Sequence, residues 1–390
     1  LRPDDIQMKF GEVALDDAVG AILAHSVRLP GCTVRKGTIL KRADIQRLRE
    51  AGVEAVTAAR LAKSDLDENT AARRIASALV SPGAKLSRRG NTGRANLIAN
   101  APGIVVIDEE RIHRINAVDE AITLATVRPF EPVARGSVIA TVKVITFAVP
   151  EARAKACIRI AERGGPPIRL APFGKKKIGF VQTLLPGLKD SVVAKASETM
   201  AARFAEMGLK IAREVHCPHD EASVRDALQE LAGRRCDIAM VLGASAVVDR
   251  RDVVPQAVVD AGGAIEHLGL PVDPGHLMLM ARLGAMRILG IPGSARSPRL
   301  HGFDWVLQRL VAGIDVGSDD LIRMGVGGLL KEIPGRPVPR EQDKVEMNDR
   351  STKIGGIVLA AGRSRRMGRI NKLLAEVDGA PMVVHAVKTM

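Results

Sequence analysis

Tyrosine is absent from the 390 residues, tryptophan occurs once and phenylalanine seven times, so aromatic side chains make up only 2% of the chain. Proteins that read single strands stack bases on aromatic rings, and that class is therefore disfavoured despite a formal charge of +14. No zinc-finger or RNA-recognition signature is present either. Nucleic acid is thus the disfavoured partner, and the excess of cations favours a small phosphorylated ligand. The four cysteines, Cys32, Cys157, Cys217 and Cys236, are scattered and form no disulfide framework, which suits a reducing compartment. No apolar run approaches the ~18 residues of a membrane span, and no signal peptide is visible at the start. The expectation is a cytoplasmic protein with no membrane partner.

With few aromatics, the core has to be built from Ala, Val, Leu and Ile, as in helix-covered parallel sheets. Hydrophobic residues reach 46%, enough to fill two or three domains at this length. Because the chain opens on Leu1 and stops at Met390 inside a helical pattern, a fragment of a longer protein is expected.

Periodicity divides the chain. Residues 8–65 read as a small α+β unit, with Ile45, Leu48 and Ala51 on one helix face closed by Gly52, and a β-like run at 53–56. Residues 66–172 read as a mixed α/β region. It has helices at 71–80 and 151–163, a loop at 81–94, a buried strand at 103–108 and a β segment at 137–147. A Gly-Pro-rich link is expected at 164–172, and 118–126 stays undecided between helix and strand. From Lys177 the pattern turns to strand–helix alternation. Strands are expected at 178–183, 210–215, 237–242, 264–268 and 287–291, with helices at 191–207, 221–231, 253–261 and 302–312. That order predicts an α/β domain over 175–320 with a doubly wound, mostly parallel sheet, whose ligand sits beyond the carboxyl ends of the strands. Residues 333–352, rich in proline and charge, read as a linker.

Two segments carry chemistry. Leu359-Ala360-Ala361-Gly362-Arg-Ser364-Arg-Arg366-Met367-Gly368, with Lys372 downstream, is an apolar strand entering a small-residue loop that bears cations. Backbone N–H groups in such a loop can cradle phosphate oxygens while Arg366 and Lys372 neutralise charge. Composition leaves a plain basic turn equally open, and a Walker A loop is excluded because Lys372 does not follow Gly368 directly. The second segment is Gly243-Ala-Ser245-Ala-Val-Val-Asp249-Arg-Arg251-Asp252-Val253-Val-Pro255, at the end of an expected strand. Glycine lets a polyanion approach the backbone, and carboxylates at a helix start can hold Mg2+; Asp252 is equally a helix N-cap. A nucleophile elbow is disfavoured, since Val247 stands where that motif needs glycine. Asp190 or Ser191 reads as the cap of the 191–207 helix, with Lys189 beside it. His216-Cys217-Pro218-His219 looks like half a zinc site with no second half, so metal ligands stay unknown. Met278 and Met280 read as core filler on a strand.

The terminal segment resembles the opening of the nucleotidyltransferases that attach CMP or GMP to molybdopterin. The resemblance covers 353–390 and implies a truncated, Rossmann-like transferase domain whose loop grips CTP or GTP. Around Asp252 further pieces recur in order: His219-Asp220-Glu221, Pro274-Gly275 and Gly290-Ile-Pro-Gly293-Ser294. Together they resemble the molybdopterin-binding domain shared by molybdopterin adenylyltransferase and molybdotransferase. That resemblance implies Asp220 and Asp252 at the acidic catalytic positions. Gly243, Ser245, Asp249, Lys189, Asp190, Ser191, Pro274, Gly275, Gly293 and Ser294 would line the pterin site. Ala244 departs from the family's Gly-Gly pair, and one extra residue separates Ser245 from Asp252. Residues 34–40 are similar to a molybdotransferase stretch. The implied activity is molybdenum-cofactor biosynthesis: molybdopterin binding with CMP or GMP transfer by the complete protein and Mg2+ as cofactor. A non-catalytic carrier or sensor, and adenylyl transfer from ATP by the middle domain, stay open. So do a homo-oligomer and a molybdoenzyme or cofactor-chaperone partner.

Overall fold

The computed structural model describes residues 8–87 and 92–330, together with 376–377 and 380–381. Two compact units emerge, Leu1–Lys331 and Glu332–Met390. In the second, Glu376–Val377 and Ala380–Pro381 pair antiparallel.

At the amino end, strands Lys9–Ala14, Ala55–Arg60 and Ile22–Leu23 form a sheet, and the helix Arg42–Glu50 follows the hairpin Val27–Leu29/Cys32–Val34. Ile45 and Leu48 pack with Leu15, Leu23, Leu40 and Val56 in one small core, as the helix face predicts.

Beyond it, Arg94–Ala99 and Val138–Val144 are central strands in a four-stranded sheet, and Glu68–Ala78 and Glu151–Glu162 pack into the same core. Three expectations change here. The undecided stretch contains the strand Ile122–Thr126, paired antiparallel with Val138–Val144. The link expected at 164–172 contains the strand Ile168–Pro172, paired with Gly103–Ile107. Nothing local announces that strand: it exists because the buried run at 103–107 needs a hydrogen-bonding neighbour, and its proline sits at the strand end, where a missing N–H is tolerated. The expected loop at 81–94 likewise contains a short strand, Ala84–Leu86.

The third region holds the alternating elements, labelled from here on as β1 (Ile178–Leu184), α1 (Asp190–Glu206), β2 (Ile211–Pro218), α2 (Glu221–Gly233), β3 (Ile238–Leu242), α3 (Val253–Asp260), β4 (Ala264–Leu268), β5 (Leu279–Leu283), β6 (Met286–Ile291) and α4 (Gly302–Val311). The six strands lie in the order β2-β1-β3-β6-β5-β4. Pairs β1–β2, β1–β3 and β3–β6 are parallel; only β5 runs against its neighbours. Every residue of β3 is buried, the signature of a strand covered on both faces. Ile178, Phe180 and Met240 pack with Met200 and Phe204 of α1 and Phe303 and Val306 of α4. Val181, Ala239 and Val241 pack with Val224 and Leu228 of α2 and Val254 and Val258 of α3. Helices on both faces of a mainly parallel sheet make the domain doubly wound, as expected. Met278 and Met280 are fully buried core residues.

Candidate functional site

The carboxyl ends of four parallel strands meet along one edge. Leu184 is in register with Pro218, Gln182 with Leu242, and Leu242 with Ile291. The loops that leave these residues carry most of the polar groups expected to line a ligand site.

At the β1, β2 and β3 ends, three side chains form a chain. Thr183, fully buried near the end of β1, accepts the backbone N–H of Ala244 at 2.7 Å. Its hydroxyl lies 2.8 Å from Nδ1 of His219. The other ring nitrogen of His219, Nε2, lies 2.7 Å from Oγ of Ser245. Burial holds His219 below its ordinary pKa, although Asp220 and Asp252 both pull it upward. The imidazole is therefore neutral near pH 7.

The two expected acids are both near His219, and each is already engaged. Asp220 caps α2, accepting the N–H of Ser223 and its hydroxyl, both at 2.8 Å. These bonds hold its carboxyl below the usual range. Asp252 occupies the cap position of α3 but makes no forward cap bond. Its Oδ2 reaches backward instead, to Val248 N at 2.6 Å and Asp249 N at 2.9 Å. It thereby closes the loop that carries Ser245. Asp249 bonds its near neighbour Arg251 at 2.9 Å on the exposed loop. Gly243 is needed for close approach, since a side chain there would meet Ser245 O at 2.9 Å.

At the end of β6 a second group forms. Ser294 Oγ lies 2.9 Å from Nε2 of His301, the residue before α4. Pro274 accepts the N–H of Gly302 at 2.8 Å, and a Cβ at Gly275 would lie 3.1 Å from that nitrogen. The loop after β4 is thus pinned against the start of α4. His301 N donates to Asp304 at 2.8 Å, and Asp304 pairs with Arg203 of α1 at 2.6 Å. Burial pushes His301 down to about 4, with Arg203 adding to the fall and Asp273 opposing it. Burial pushes Asp304 up to about 6 against the pull of Arg203.

The structure thus gathers Gly243, Ser245, Asp220 and Asp252 around His219 at the ends of β1, β2 and β3, and brings Ser294, next to Gly293 at the end of β6, to His301, with Pro274 and Gly275 of the loop after β4 against Gly302 at the start of α4. Lys189, Asp190 and Ser191 are exposed at the start of α1, and no hydrogen bond or ion pair among the described residues ties them to either group. The expected cap there is corrected: Lys189 holds the cap position without a side-chain bond, and Asp190 and Ser191 are already helical. Asp190 still favours the positive end of the helix dipole. The nucleotide-loop residues Leu359, Ala360, Ala361, Gly362, Ser364, Arg366, Met367, Gly368 and Lys372 lie outside the described residues. Thr183 was not singled out by sequence, and His219 was named only within the half zinc motif and beside Asp220, with no part in a ligand site. A threonine closing an apolar strand and a histidine beside Asp220 were the available signals. In the half zinc motif, His216 bonds Glu214 at 2.8 Å, and burial pushes the Cys217 thiol up to about 11. Among the described residues, no group of three or more His, Cys, Asp or Glu side chains could hold a metal ion.

Comparison with known proteins bears on the same edge. Residues 181–313 match the family described as probable molybdopterin binding domain, and residues 356–390 match the MobA-like NTP transferase domain. Residues 12–60 match a family described as a domain of unknown function. No curated protein matches. The chain is similar to the molybdopterin biosynthesis enzyme MoaB from Thermus thermophilus, at 18% identity over 35% of this chain and 97% of that one, with a TM-score of 0.27. It is also similar to the molybdopterin biosynthesis protein MoeA from Pyrococcus horikosii, at 12% identity over 83% of this chain and 78% of that one, with a TM-score of 0.27. Over 181–313 and 356–390 the chain therefore matches two domain families of molybdenum-cofactor biosynthesis, as its motifs imply. Among the described residues, no helix is long and apolar enough to cross a membrane.

Proposed function

We propose that residues 175–320 bind molybdopterin, with its terminal phosphate at the edge formed by the ends of β1, β2, β3 and β6. One observation carries this reading: Ser245, His219, Thr183 and the N–H of Ala244 form one hydrogen-bonded chain at three neighbouring strand ends, inside the segment that matches the molybdopterin-binding family. Together with the segment at 356–390 that matches the MobA-like NTP transferase domain, the protein would transfer CMP or GMP to molybdopterin in the cytoplasm. In that reaction an oxygen of the pterin's terminal phosphate attacks the α-phosphorus of CTP or GTP and pyrophosphate leaves. Positioning and charge neutralisation do most of such work. Residues 8–65 and 66–172 serve as separate flanking units.

Mg2+ fits this edge in one way. Oδ1 of Asp252 makes no hydrogen bond among the described residues, and Mg2+ is commonly held by one or two carboxylates together with substrate phosphates. The metal would supply charge neutralisation at the phosphates. Asp252 itself keeps the Ser245 loop closed, whatever else binds.

Titrating the whole chain with molybdopterin tests the binding claim, and adding CTP, GTP or ATP with Mg2+ separates the chemistries. Binding without turnover favours a carrier, a reading supported by Ala244 and by the prior engagement of both carboxylates. An adenylylated product assigns chemistry to the middle domain. No measurable binding overturns the proposal.

The closure role of Asp252 makes its own prediction. Asp252→Ala frees two backbone N–H groups, each worth ~1 kcal/mol when bonded, and is expected to weaken molybdopterin binding about tenfold or more. Asp252→Asn keeps an acceptor for both and should bind within a few-fold of wild type while losing any Mg2+ dependence. Equal losses in the two variants would show that the charge, and not the loop closure, is what matters.

A further inference from the structure

The chain from Thr183 to Ser245 has a direction that its distances alone do not show. Thr183 Oγ1 spends one lone pair on the Ala244 N–H. Its own proton needs an acceptor, and among the described residues the only one in reach is Nδ1 of His219 at 2.8 Å. Thr183 is fully buried, so water does not replace that acceptor. A buried hydroxyl proton left unbonded disfavours the arrangement by about tenfold or more. The threonine proton therefore points at Nδ1, which carries its lone pair. A neutral imidazole has a single N–H, so the ring proton sits on Nε2 and is donated to Ser245 Oγ at 2.7 Å. Ser245 receives a hydrogen bond from the ring, and its own proton is free to turn outward. Ser245 is exposed at the strand edge, where that proton meets whatever binds.

We propose that Thr183 and His219 are positioning residues that hold Ser245 as a hydrogen-bond donor to an oxyanion of the ligand, a phosphate monoester, and not as a nucleophile. The inference rests on the reading that this edge receives the pterin phosphate. A base that activates Ser245 would need its lone pair on Nε2, the opposite tautomer. Here the threonine has taken up the only lone pair the neutral ring offers. Burial keeps the ring neutral, so the donated proton belongs to an uncharged group. His219 thus brings no positive charge to this point of the edge, and what it turns toward the phosphate is the Ser245 hydroxyl.

Nitrogen-15 NMR of the whole chain, labelled at histidine, reads the tautomer directly and without ligand. His219 is assigned by the signal that disappears in His219→Gln. The expected result near neutral pH is a protonated Nε2 and an unprotonated Nδ1. In Thr183→Val the proton donor to Nδ1 is gone, and the tautomer ratio should fall toward that of a free neutral histidine side chain. A wild-type ring protonated at Nδ1 overturns the proposal, as does a ratio unmoved by Thr183→Val. The donor role is read with inorganic phosphate as the probe. Ser245→Ala and His219→Leu should each weaken phosphate binding about tenfold, whereas His219→Gln, which keeps an N–H where Nε2 stood, should stay within about threefold of wild type. Glutamine no better than leucine would reject the donor role. If the wild-type chain binds neither phosphate nor molybdopterin, the functional reading fails, while the tautomer still decides whether the relay runs as argued.

Discussion

Arg203→Met is expected to lower the unfolding free energy by about 3–5 kcal/mol, read as a shift of the urea midpoint at unchanged slope. The guanidinium and its partner Asp304 are 10% and 7% exposed, so removing the cation strands a carboxylate that solvent hardly reaches. The carbonyls of Ser297 and Arg299 lose their guanidinium donor with it, and the packing of the guanidinium on the Phe303 ring, 5.0 Å from its centroid, is lost as well. Those carbonyls belong to the stretch between Ser294 and His301, so the same change should loosen the loop that presents Ser294 and weaken molybdopterin binding. The double variant Arg203→Met with Asp304→Asn tests the cause. The amide that replaces the carboxylate is neutral and can still accept the His301 N–H, so about half or more of the lost stability should return. Breaking a buried pair costs more than replacing both members. A single variant that loses less than about 1 kcal/mol would mean that Arg203 does not anchor this loop.

How much of this could be read from the residues alone depends on whether the signal was local. Five of the six strands of the sheet were legible, the clearest being the unbroken apolar run Ile238–Leu242, buried on both faces, and the helices between them have their own periodicity; the antiparallel strand Leu279–Leu283, with no helix on either side of it, was signalled only by Met278 and Met280. The placement of Asp220, Ser245, Asp252 and Ser294 along one edge followed from that alternation, since a parallel sheet brings every strand end to the same side. What was missed depends on contacts between distant segments. Ile168–Pro172 is a strand only because Gly103–Ile107 lies beside it. Thr183 and His219 are 36 positions apart, and no spacing rule joins them. Asp252 looked like a forward cap because aspartate before a helix usually is one, yet its carboxylate turns back to Val248 and Asp249. His301 was hidden for the same reason: its partners, Ser294, Asp304, Arg203 and Asp273, come from four different elements or loops.

That histidine makes the protein respond to acid in a way that one variant exposes. Its pKa falls from an ordinary 6.5 to about 4 in the folded state. Between those values acidification protonates only the unfolded chain, so His301 contributes stability that is complete above 6.5 and is lost as the pH falls. The slope is about 1.4 kcal/mol per pH unit. Asp304 acts in the opposite sense. Its folded pKa is raised from 3.8 to about 6, so below 6 the folded chain takes up a proton that the unfolded chain has not yet bound, and stability rises as the pH falls toward 3.8. From pH 6 to 4 the two effects offset, and wild type should show little net slope from this pair. His301→Gln removes one side of the balance while keeping a side-chain N–H for Ser294. Its stability relative to wild type is expected to rise by about 1.4 kcal/mol for each pH unit lost below 6.5, reaching roughly 3 kcal/mol near pH 4. Taking the difference between the two proteins cancels every other titrating group, so parallel stability curves across that range would mean that His301 is not held neutral by burial.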